Sequence, residues 1–458
     1  MQSVCQLFFP DTDFSTDDGR SLRCDVADGV VTATLEYDGR VYTSTESFMN
    51  IFDSERIALK GCVYRLMSSV TGRSSPWGLL TGIKSALFYD KLRKIHGQDA
   101  DDVFKRLYMV SPDKIDLCRQ VLISRRRALD ICTPDSVSLY VSVPFCPSKC
   151  SYCSFVSSAS TSGDGMQERY IDMLCSELEA KGEFVALSGY KLTCVYIGGG
   201  TPTVLSDALL DRLLSTIERC FDFSHMLEYT VEAGRPDTFS VSKLDVLARH
   251  GVTRVSINPQ TLNSEALRAI GRRHTAEDFF KAYDMTRQYD FIKNIDVIAG
   301  LPADTLDTFC ASFDTLSSLD AENVTLHTLY IKKASAPQIH DMLADDAHSE
   351  LTGRMVSYAE RRCAQLGYRP YYLYRQKNTI GNHENVGYAV SGTECLYNIL
   401  MMDDIQTIIG AGANAVSKFV FKDRLLRLAN TKYAYNYIKD SYRSISEFYG
   451  AVEQQKAD

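Results

Sequence analysis

Between residues 138 and 329, six short runs rich in β-branched and apolar residues alternate with longer segments of helical period. This alternation predicts βαβ units, in which helices cross over a parallel sheet. Six units are fewer than the eight that close a full TIM barrel, so the expected fold is α/β with a partial, open (β/α)6 barrel. The predicted strands are Ser138–Pro144, Leu192–Gly198, Glu228–Glu232, Arg254–Gln260, Asn294–Gly300 and Asn323–Leu329, and the predicted helices lie near Met166–Leu187, Ser206–Phe221, Val241–His250, Ala276–Tyr289 and Leu306–Leu319.

Three cysteines, Cys146, Cys150 and Cys153, follow the first predicted strand directly. Thiolates are soft ligands that hold iron–sulfur clusters, and a four-iron cluster normally takes four of them. Three thiolates can therefore leave one iron open to another ligand. A structural zinc site needs a fourth ligand and usually a second Cys-x2-Cys half, and no such half lies near by. The spacing thus favours an open iron–sulfur cluster over zinc.

Gly198, Gly199, Gly200 and Thr201 stand where the second predicted strand ends. Because glycine has no Cβ, three in succession allow the backbone to approach a ligand closely. A plain tight turn would use the same residues, so the motif alone leaves both interpretations open. No Gly-Lys-Ser/Thr sequence follows, and this excludes a Walker-type phosphate loop.

Polar side chains occur at the ends of the later strands. Glu232 ends the third strand, Gln260 ends the fourth, and Asp296 lies on the fifth. The C-terminal ends of barrel strands form the mouth, where polar side chains bind a ligand. Solvated strand ends would carry the same residue types, and that interpretation stays open for each position.

Together these features resemble the radical S-adenosylmethionine (SAM) superfamily and, within it, the oxygen-independent coproporphyrinogen III oxidase (dehydrogenase) family. The resemblance covers about residues 138–417, and the flanks resemble the HemZ branch in particular. The motifs within the barrel are Tyr140-x-x-x-Pro-Phe-Cys146, Gly198-Gly-Gly-Thr-Pro-Thr203, Val255-Ser-Ile-Asn-Pro-Gln260, Ile270-Gly-Arg-Arg-His274 and Asp296-Val-Ile-Ala-Gly-Leu-Pro302. The flanking motifs are Pro76-Trp-Gly-Leu-Leu-Thr-Gly82, Tyr371-Tyr-Leu-Tyr-Arg-Gln-Lys-Asn378 and Gly381-Asn-His-Glu-Asn-Val-Gly-Tyr388.

The resemblance implies two cofactors, a [4Fe-4S] cluster and one or two molecules of SAM. In the family, three cysteines hold the cluster, the open iron binds SAM, and the reduced cluster cleaves SAM to a 5′-deoxyadenosyl radical. Carried over by position, the cluster ligands are Cys146, Cys150 and Cys153; the SAM contacts are Gly198, Gly199, Gly200, Thr201, Glu232, Gln260, Arg272 and Asp296; Ile298 would contact a second SAM; and Tyr140, as a catalytic residue, would lie between cluster and substrate.

The resemblance also implies a reaction, the oxidative decarboxylation of two coproporphyrinogen III propionates to vinyl groups. The product is protoporphyrinogen IX, an intermediate of anaerobic haem biosynthesis. Such a tetrapyrrole carries four carboxylates, so its pocket needs cations beside aromatic surface. Tyr374, Arg375 and Lys377 offer that mixture, with Lys332 and Lys333 as additions. An ordinary strand with buried tyrosines and solvated charges is the alternative.

Two departures from the family pattern keep other functions open. Phe155 stands where the best-established dehydrogenases have a further cysteine, and Ser142 stands where histidine is usual. Haem-carrying relatives also lack that cysteine. The alternatives are a haem-binding or haem-transfer protein of the same superfamily, with His274, His327 and His383 as candidate ligands, or a radical SAM enzyme that modifies haem.

The flanks of the barrel have patterns of their own. Residues 22–42 alternate apolar and polar side chains around Asp28-Gly29 and Asp38-Gly39, which predicts an antiparallel meander. Helices are expected near Ser54–Ser69, Asp101–Met109 and Glu350–Leu366. The expected domains are an N-terminal α+β domain at residues 1–133, the barrel at 134–330 and an α+β extension that covers the substrate at 331–458.

Charge and cysteine usage restrict location and partners. A formal net charge of −8 excludes the basic footprint of a nucleic-acid-binding protein. The N-terminal residues lack the basic region of a signal peptide, and no apolar run is long enough for a membrane span. Fourteen cysteines scattered along 458 residues then indicate reduced thiols. We expect a cytoplasmic monomer without membrane insertion, and the resemblance adds an electron donor such as flavodoxin or ferredoxin.

Overall fold

The computed structural model describes residues 1–9, 20–48, 55–82, 84–153, 158–159, 165–331, 341–343, 345–421, 424–440 and 448–450. Phe155, Lys332 and Lys333 lie outside these ranges. All fourteen cysteines lie within them as free thiols. Among the helices of these ranges, none combines the length and the apolar character that a bilayer crossing requires.

The N-terminal region begins with the predicted antiparallel meander. Asp28, Gly29, Asp38 and Gly39 all have positive φ angles, as two-residue hairpin turns require. The helices expected near Ser54–Ser69 and Asp101–Met109 are present, and the described part of this region contains four further helices. The strands are β1 (Ser21–Ala27), β2 (Val30–Tyr37) and β3 (Arg40–Ser47), and the helices are α1 (Gln2–Cys5), α2 (Glu55–Thr71), α3 (Ser85–His96), α4 (Ala100–Arg106), α5 (Pro112–Ser124) and α6 (Arg126–Ile131).

The predicted partial barrel is confirmed. Six parallel strands pair side by side in chain order, and nearly all of their apolar residues are buried because helices cover the outer face of the sheet. The barrel strands are β4 (Ser136–Val143), β7 (Lys191–Gly199), β8 (Glu228–Glu232), β9 (Arg254–Ser256), β10 (Ile292–Ala299) and β11 (Asn323–Thr328), with a small ladder of β5 (Phe145–Cys146) and β6 (Ser158–Ala159). The helices are α7 (Met166–Leu187), α8 (Asp207–Cys220), α9 (Val241–Arg249), α10 (Ser264–Ala269), α11 (Ala276–Thr286) and α12 (Leu306–Ser317).

The C-terminal region continues the same sheet at both edges. One edge gains β13 antiparallel to β11 and then β12, whereas the other gains β14 parallel to β4 and then an antiparallel pair. The expected domain boundary at residue 330 and the covering role of the extension stay predictions. The elements are α13 (Asp346–Gln365), β12 (Arg369–Arg375), β13 (Glu384–Ala389), α14 (Leu396–Asp403), β14 (Thr407–Ala411), β15 (Val416–Val420) and β16 (Leu425–Ala429).

A buried ionic cluster joins the N-terminal helices to the β12–β13 edge of the sheet. Trp77 donates from Nε1 to Glu384 Oε2 at 2.6 Å, and Lys114 Nζ lies 2.6 Å from the same carboxylate. Arg375 lies 5.2 Å above the Trp77 ring and donates to the Leu80 carbonyl at 2.6 Å. The flanking motifs of the sequence therefore pack against one another on the outer face of the sheet.

Replacing Glu384 with glutamine should destabilise the chain, because Lys114 would keep a buried charge while losing one of its two close carboxylates. Removing one partner of a buried ion pair costs on the order of 3 kcal/mol. Arg106→Ala removes an exposed pair with Asp102 and should cost less than about 1 kcal/mol. Urea unfolding measures both changes, and equal losses in the two variants would contradict a joining role for the cluster.

Candidate active site

The predicted site residues meet where the parallel strands end. Thr201 Oγ1 lies 3.6 Å from Cys146 Sγ, which brings the glycine motif to the cysteine loop. Gln260 pairs with strand β10, because its N–H donates to the Asp296 carbonyl at 3.0 Å. Glu232 lies against the backbone of Gly198. The carboxyl ends of neighbouring parallel strands share one edge of a sheet, and this brings together residues that are up to 150 positions apart.

The three cysteines lie on the loop after β4. Cys150 is buried, and Cys146 and Cys153 are half-buried. Among the residues that the structure describes, no three Cys, His, Asp or Glu side chains are gathered closely enough to hold a metal ion. The thiols therefore share one loop at the barrel mouth without forming a completed ligand set.

Two buried guanidinium groups lie around Cys150. Arg235 Nη1 lies 3.7 Å from Cys150 Sγ, and Arg235 pairs with Asp237 at 3.0 Å. Arg272 carries a second buried charge; burial lowers the pKa of Arg272, but the Tyr152 hydroxyl and, after it, the Cys150 thiol outweigh this effect and raise it. Nearby cations favour thiolates over thiols, so this setting fits an anionic iron–sulfur cluster. Arg235 was not predicted; the only signal is its position three residues after Glu232.

Arg272 connects the cysteine loop to two strand ends. Its Nη1 donates to the carbonyls of Gly234 at 3.1 Å and Asn258 at 3.0 Å, which follow β8 and β9. Its Nη2 donates to the hydroxyl of Tyr152, the aromatic residue before the third cysteine, at 3.0 Å. Arg272 Nε has no hydrogen-bond partner in the described part of the chain. The orientation of the cysteine loop thus depends on this side chain.

The glycine motif is required by close packing of the strand ends. A Cβ at Gly198 would lie 2.8 Å from the Glu232 carboxylate, and one at Gly199, whose φ is +99°, would lie 2.8 Å from Ser142 Oγ. A Cβ at Gly200 would lie 2.7 Å from the Val143 carbonyl. The close approach in this structure is to protein atoms. A contact of these glycines with SAM remains a proposal.

Aromatic rings line the interior of the barrel beside Glu232. Tyr196 donates its hydroxyl to Glu232 Oε1 at 2.6 Å. The Tyr397 ring stacks on Tyr196 at 4.5 Å and on Tyr140 at 6.2 Å between centroids. This stack, formed by Tyr140, Tyr196 and Tyr397, is called the tyrosine wall. It gives the barrel a flat apolar surface directly below the strand-end carboxylates.

A hydrogen-bonded chain crosses the opposite side of the interior. Asp296 Oδ2 lies 3.5 Å from His327 Nε2, and the Tyr374 hydroxyl lies 3.3 Å from His327 Nδ1. Asn294 donates to Asp296 Oδ1 at 2.7 Å. His327 holds Asp296 and Tyr374 in fixed orientations. These side chains come from β10, β11 and β12, and their meeting could not be read from the sequence.

Glu232 and Asp296 have opposite pKa shifts. Burial raises the pKa of Glu232 to about 7, and the charge of Asp296 adds to this effect while Tyr196 opposes it. Burial would also raise the pKa of Asp296, but the hydrogen bond and charge of His327 lower it below its ordinary value. Near neutral pH the barrel therefore contains one ionised and one half-protonated carboxyl group.

Gln260 and Ile298 lie at the rim of the barrel. Gln260 has a φ of +69°, an uncommon angle for a residue other than glycine. Its buried Oε1 accepts no hydrogen bond from any described residue. A strained backbone with an unpaired polar atom is typical of ligand-binding positions. Ile298 is buried among apolar residues that include Leu301 and Leu329.

The predicted grouping of Tyr374, Arg375 and Lys377 in one pocket is wrong. Successive residues of a strand point to opposite faces, so Tyr374 faces the barrel interior whereas Arg375 faces the N-terminal helices. Arg375 is 2% exposed and hydrogen-bonded there. Lys377 is exposed on the loop after β12. Only Tyr374 remains available to a ligand inside the barrel.

Comparisons with known proteins agree with this geometry. A model of the radical SAM superfamily matches residues 140–316. The HemZ protein of Bacillus subtilis, described as oxygen-independent coproporphyrinogen-III oxidase-like, is 38% identical over 375 residues, which are 80% of this chain and 75% of that protein. The heme chaperone HemW of the same organism is 30% identical over 60% of this chain and 70% of its own length.

One solved structure has a similar fold over most of the chain. Coproporphyrinogen III oxidase (HemN) from Escherichia coli superposes with a TM-score of 0.53 and 22% identity. The match covers 70% of this chain and 73% of that one. At this identity the likeness establishes the fold, a partial barrel with flanking elements.

The pKa of Glu232 predicts a pH-dependent stability. Because the folded-state pKa of about 7 lies above the ordinary 4.5, stability should fall as pH rises between these values. Glu232→Gln removes this loss. Urea unfolding of the cofactor-free protein measures this. The free energy of unfolding of the variant should exceed that of the wild type by about 1–3 kcal/mol at pH 8 and by much less at pH 4. Glu168→Gln, an exposed control on α7, should show no such dependence, and an equal gain at both pH values would refute the assignment.

Proposed function

Since this chain belongs to the radical SAM superfamily and, within it, to the family of oxygen-independent coproporphyrinogen-III oxidase-like proteins, we propose that it decarboxylates coproporphyrinogen III oxidatively. Two propionates become vinyl groups, and the product is protoporphyrinogen IX. The chain is a radical SAM enzyme of the oxidoreductase type, and its cofactors are a [4Fe-4S] cluster and SAM. A cytoplasmic location, a monomeric state and an electron donor such as flavodoxin or ferredoxin belong to the same proposal.

Cys146, Cys150 and Cys153 are the proposed cluster ligands, with Arg235 and Arg272 stabilising their thiolates. When bound, cluster and SAM supply a 5′-deoxyadenosyl radical that removes a hydrogen atom from the substrate. The strand-end residues would bind SAM by its polar groups. The proposed SAM contacts are Gly198, Gly199, Gly200, Thr201, Glu232, Gln260, Arg272 and Asp296, with Ile298 beside a second SAM.

One observation carries the proposal: the tyrosine wall is hydrogen-bonded to Glu232, the carboxyl group that ends strand β8. Tyr196 connects the two, because its ring stacks in the wall and its hydroxyl binds Glu232. A tetrapyrrole macrocycle is flat and apolar, and stacked aromatic rings bind such surfaces. Tyr140 belongs to this wall and Tyr374 bonds to His327 of strand β11, so both are proposed substrate contacts.

A second candidate is haem binding or haem transfer. The HemW match favours it, because 30% identity extends over 70% of the length of a protein described as a heme chaperone. Ser142 also departs from the histidine of the dehydrogenase pattern; its hydroxyl packs against Gly199, where a larger side chain would have to displace the glycine strand.

Anaerobic turnover separates these functions. We expect reduced, cluster-loaded protein to convert coproporphyrinogen III to a divinyl product with release of CO2 and 5′-deoxyadenosine, measured by product mass. Cys150→Ala should lose iron and product, whereas Cys310→Ala, a half-buried thiol on α12, should keep both. Retention of haem without turnover would favour haem transfer, and a modified haem would favour the third function. Formation of 5′-deoxyadenosine without loss of any propionate would refute decarboxylation.

The tyrosine wall predicts an uncoupled variant. Tyr140→Ala should lower divinyl product at least tenfold, because the ring that separates radical from substrate is lost. SAM cleavage should continue, since Tyr140 makes no hydrogen bond or ring contact with the cysteine loop in the described part of the chain. The ratio of 5′-deoxyadenosine to product measures this uncoupling. Tyr289→Phe removes an exposed hydroxyl bonded to Asp245 and serves as control; an unchanged ratio in Tyr140→Ala would contradict the assigned role.

A further inference from the structure

A cavity of about 1060 Å³ lies outside the barrel, between the N-terminal region, the first turns of α13 and the loop after β12. We propose that this junction cavity binds a polycarboxylate with an apolar body, the chemical class of porphyrins and porphyrinogens. This identification of the ligand rests on the proposed function. The cavity lies on the other face of β12 from the tyrosine wall, so it is separate from the barrel site.

Its size and place are those of a ligand site. Pockets for organic ligands occupy about 300–1,000 Å³ and occur preferentially where domains meet. The volume of the junction cavity lies slightly above that range and is more than a small inorganic anion needs. It is bordered by the three flanking motifs, which contribute Pro76, Arg375 and Asn382 to its wall. These motifs therefore shape a cavity as well as joining two parts of the chain.

The charged side chains that line the junction cavity favour the binding of an anion. Arg354 and Arg361 are exposed on α13 and lie two turns apart on one helix face, about 10 Å along the axis. Spaced cations suit a ligand with several separated carboxylates. Lys377 adds a third exposed cation. The full set of charged lining residues is Arg73, Lys114, Arg354, Arg361, Arg375 and Lys377 against Asp113, Asp346 and Glu350, with Arg73 paired to Asp346 and Lys114 to buried carboxylates.

Two buried polar atoms in the wall, Arg375 Nε and Ser111 Oγ, also lack hydrogen-bond partners among the described residues. Arg375 is 2% exposed, and its Nε makes no hydrogen bond to any described residue. Ser111 precedes α5, and its buried Oγ neither caps the helix nor meets another described partner. The first turn of α5, a helix of 13 residues, thus opens into the cavity. Helix N-termini favour anions, and a buried arginine favours carboxylates.

Apolar side chains form part of the remaining surface, which also contains many uncharged polar residues. Leu7 and Phe8 contribute from the N-terminus, and Leu306, Leu343 and Tyr358 contribute from the barrel side. A wall with cations at some points and leucine, phenylalanine and tyrosine at others matches an amphipathic ligand better than a phosphate ion.

The only tryptophan of the chain reports on this cavity, because Trp77 stacks on Arg375. We expect coproporphyrin III, titrated into anaerobic holoenzyme, to quench Trp77 fluorescence with a saturable component. The double variant Arg354→Ala, Arg361→Ala should raise the midpoint of that component at least tenfold. A matched control, Arg212→Ala with Arg219→Ala, removes two exposed arginines seven positions apart on α8 and should leave the midpoint unchanged.

Three results would overturn the proposal: quenching that does not depend on Arg354 and Arg361, no quenching at all, or displacement of the porphyrin by equimolar tripolyphosphate. Turnover of the double variant at saturating substrate should stay within twofold of the wild type, which separates this site from the barrel. Arginine-dependent quenching without any vinyl product would refute decarboxylation while supporting the cavity. Lys377→Ala, on the loop, provides a second variant that should weaken binding severalfold.

Discussion

The candidate site depends on the hydrogen bonds that the buried guanidinium group of Arg272 makes. A charge removed from water is costly unless other groups satisfy it, and Arg272 is satisfied by two strand-end carbonyls and the Tyr152 hydroxyl. These bonds fix the cysteine loop against β8 and β9. Within the described part of the chain, the positive charge has no carboxylate partner and lies beside Cys150. The same residue therefore positions the loop and supplies the field in which thiolates and an anionic cluster are favourable.

The barrel could be predicted because short runs rich in β-branched and apolar residues alternate with segments of helical period along this part of the chain. Strand β8 has the predicted bounds, and helix α7 also agrees at both ends. The edge strands could not be read in this way. Strand β13 begins with Glu384 and Asn385, whose polar character hides a strand that is nevertheless fully buried. The Glu384 carboxylate can be buried because Lys114 and Trp77, which lie roughly 300 residues earlier in the chain, bind it.

Glu232 ends strand β8 as predicted, whereas Gln260, predicted to end the next strand, lies beyond β9, which ends at Ser256. The directions in which side chains point were predicted less well. Strand β12 shows why. The segment that begins at Tyr371 mixes aromatic and cationic residues, and composition alone suggested a single pocket. Because side chains alternate between the two faces of a strand, Tyr374 points into the barrel and Arg375 points toward the N-terminal helices. Neighbouring residues of one strand therefore belong to two different environments. Arg235 was missed for a related reason, because nothing in the sequence shows that its loop folds back onto Cys150.

The carboxyls of Glu232 and Asp296 would suit the cationic ligand that is proposed for the barrel. Their pKa values are moved apart, so that at neutral pH the pair carries fewer than two negative charges. A bound ammonium or sulfonium group near Glu232 would favour its ionised form and release a proton. The position of Glu232 is in turn possible only because Gly198 has no side chain. The space at Gly198 therefore controls both the position and the burial of the Glu232 carboxyl group. A side chain at position 198 would alter the protonation of Glu232 as well as its packing.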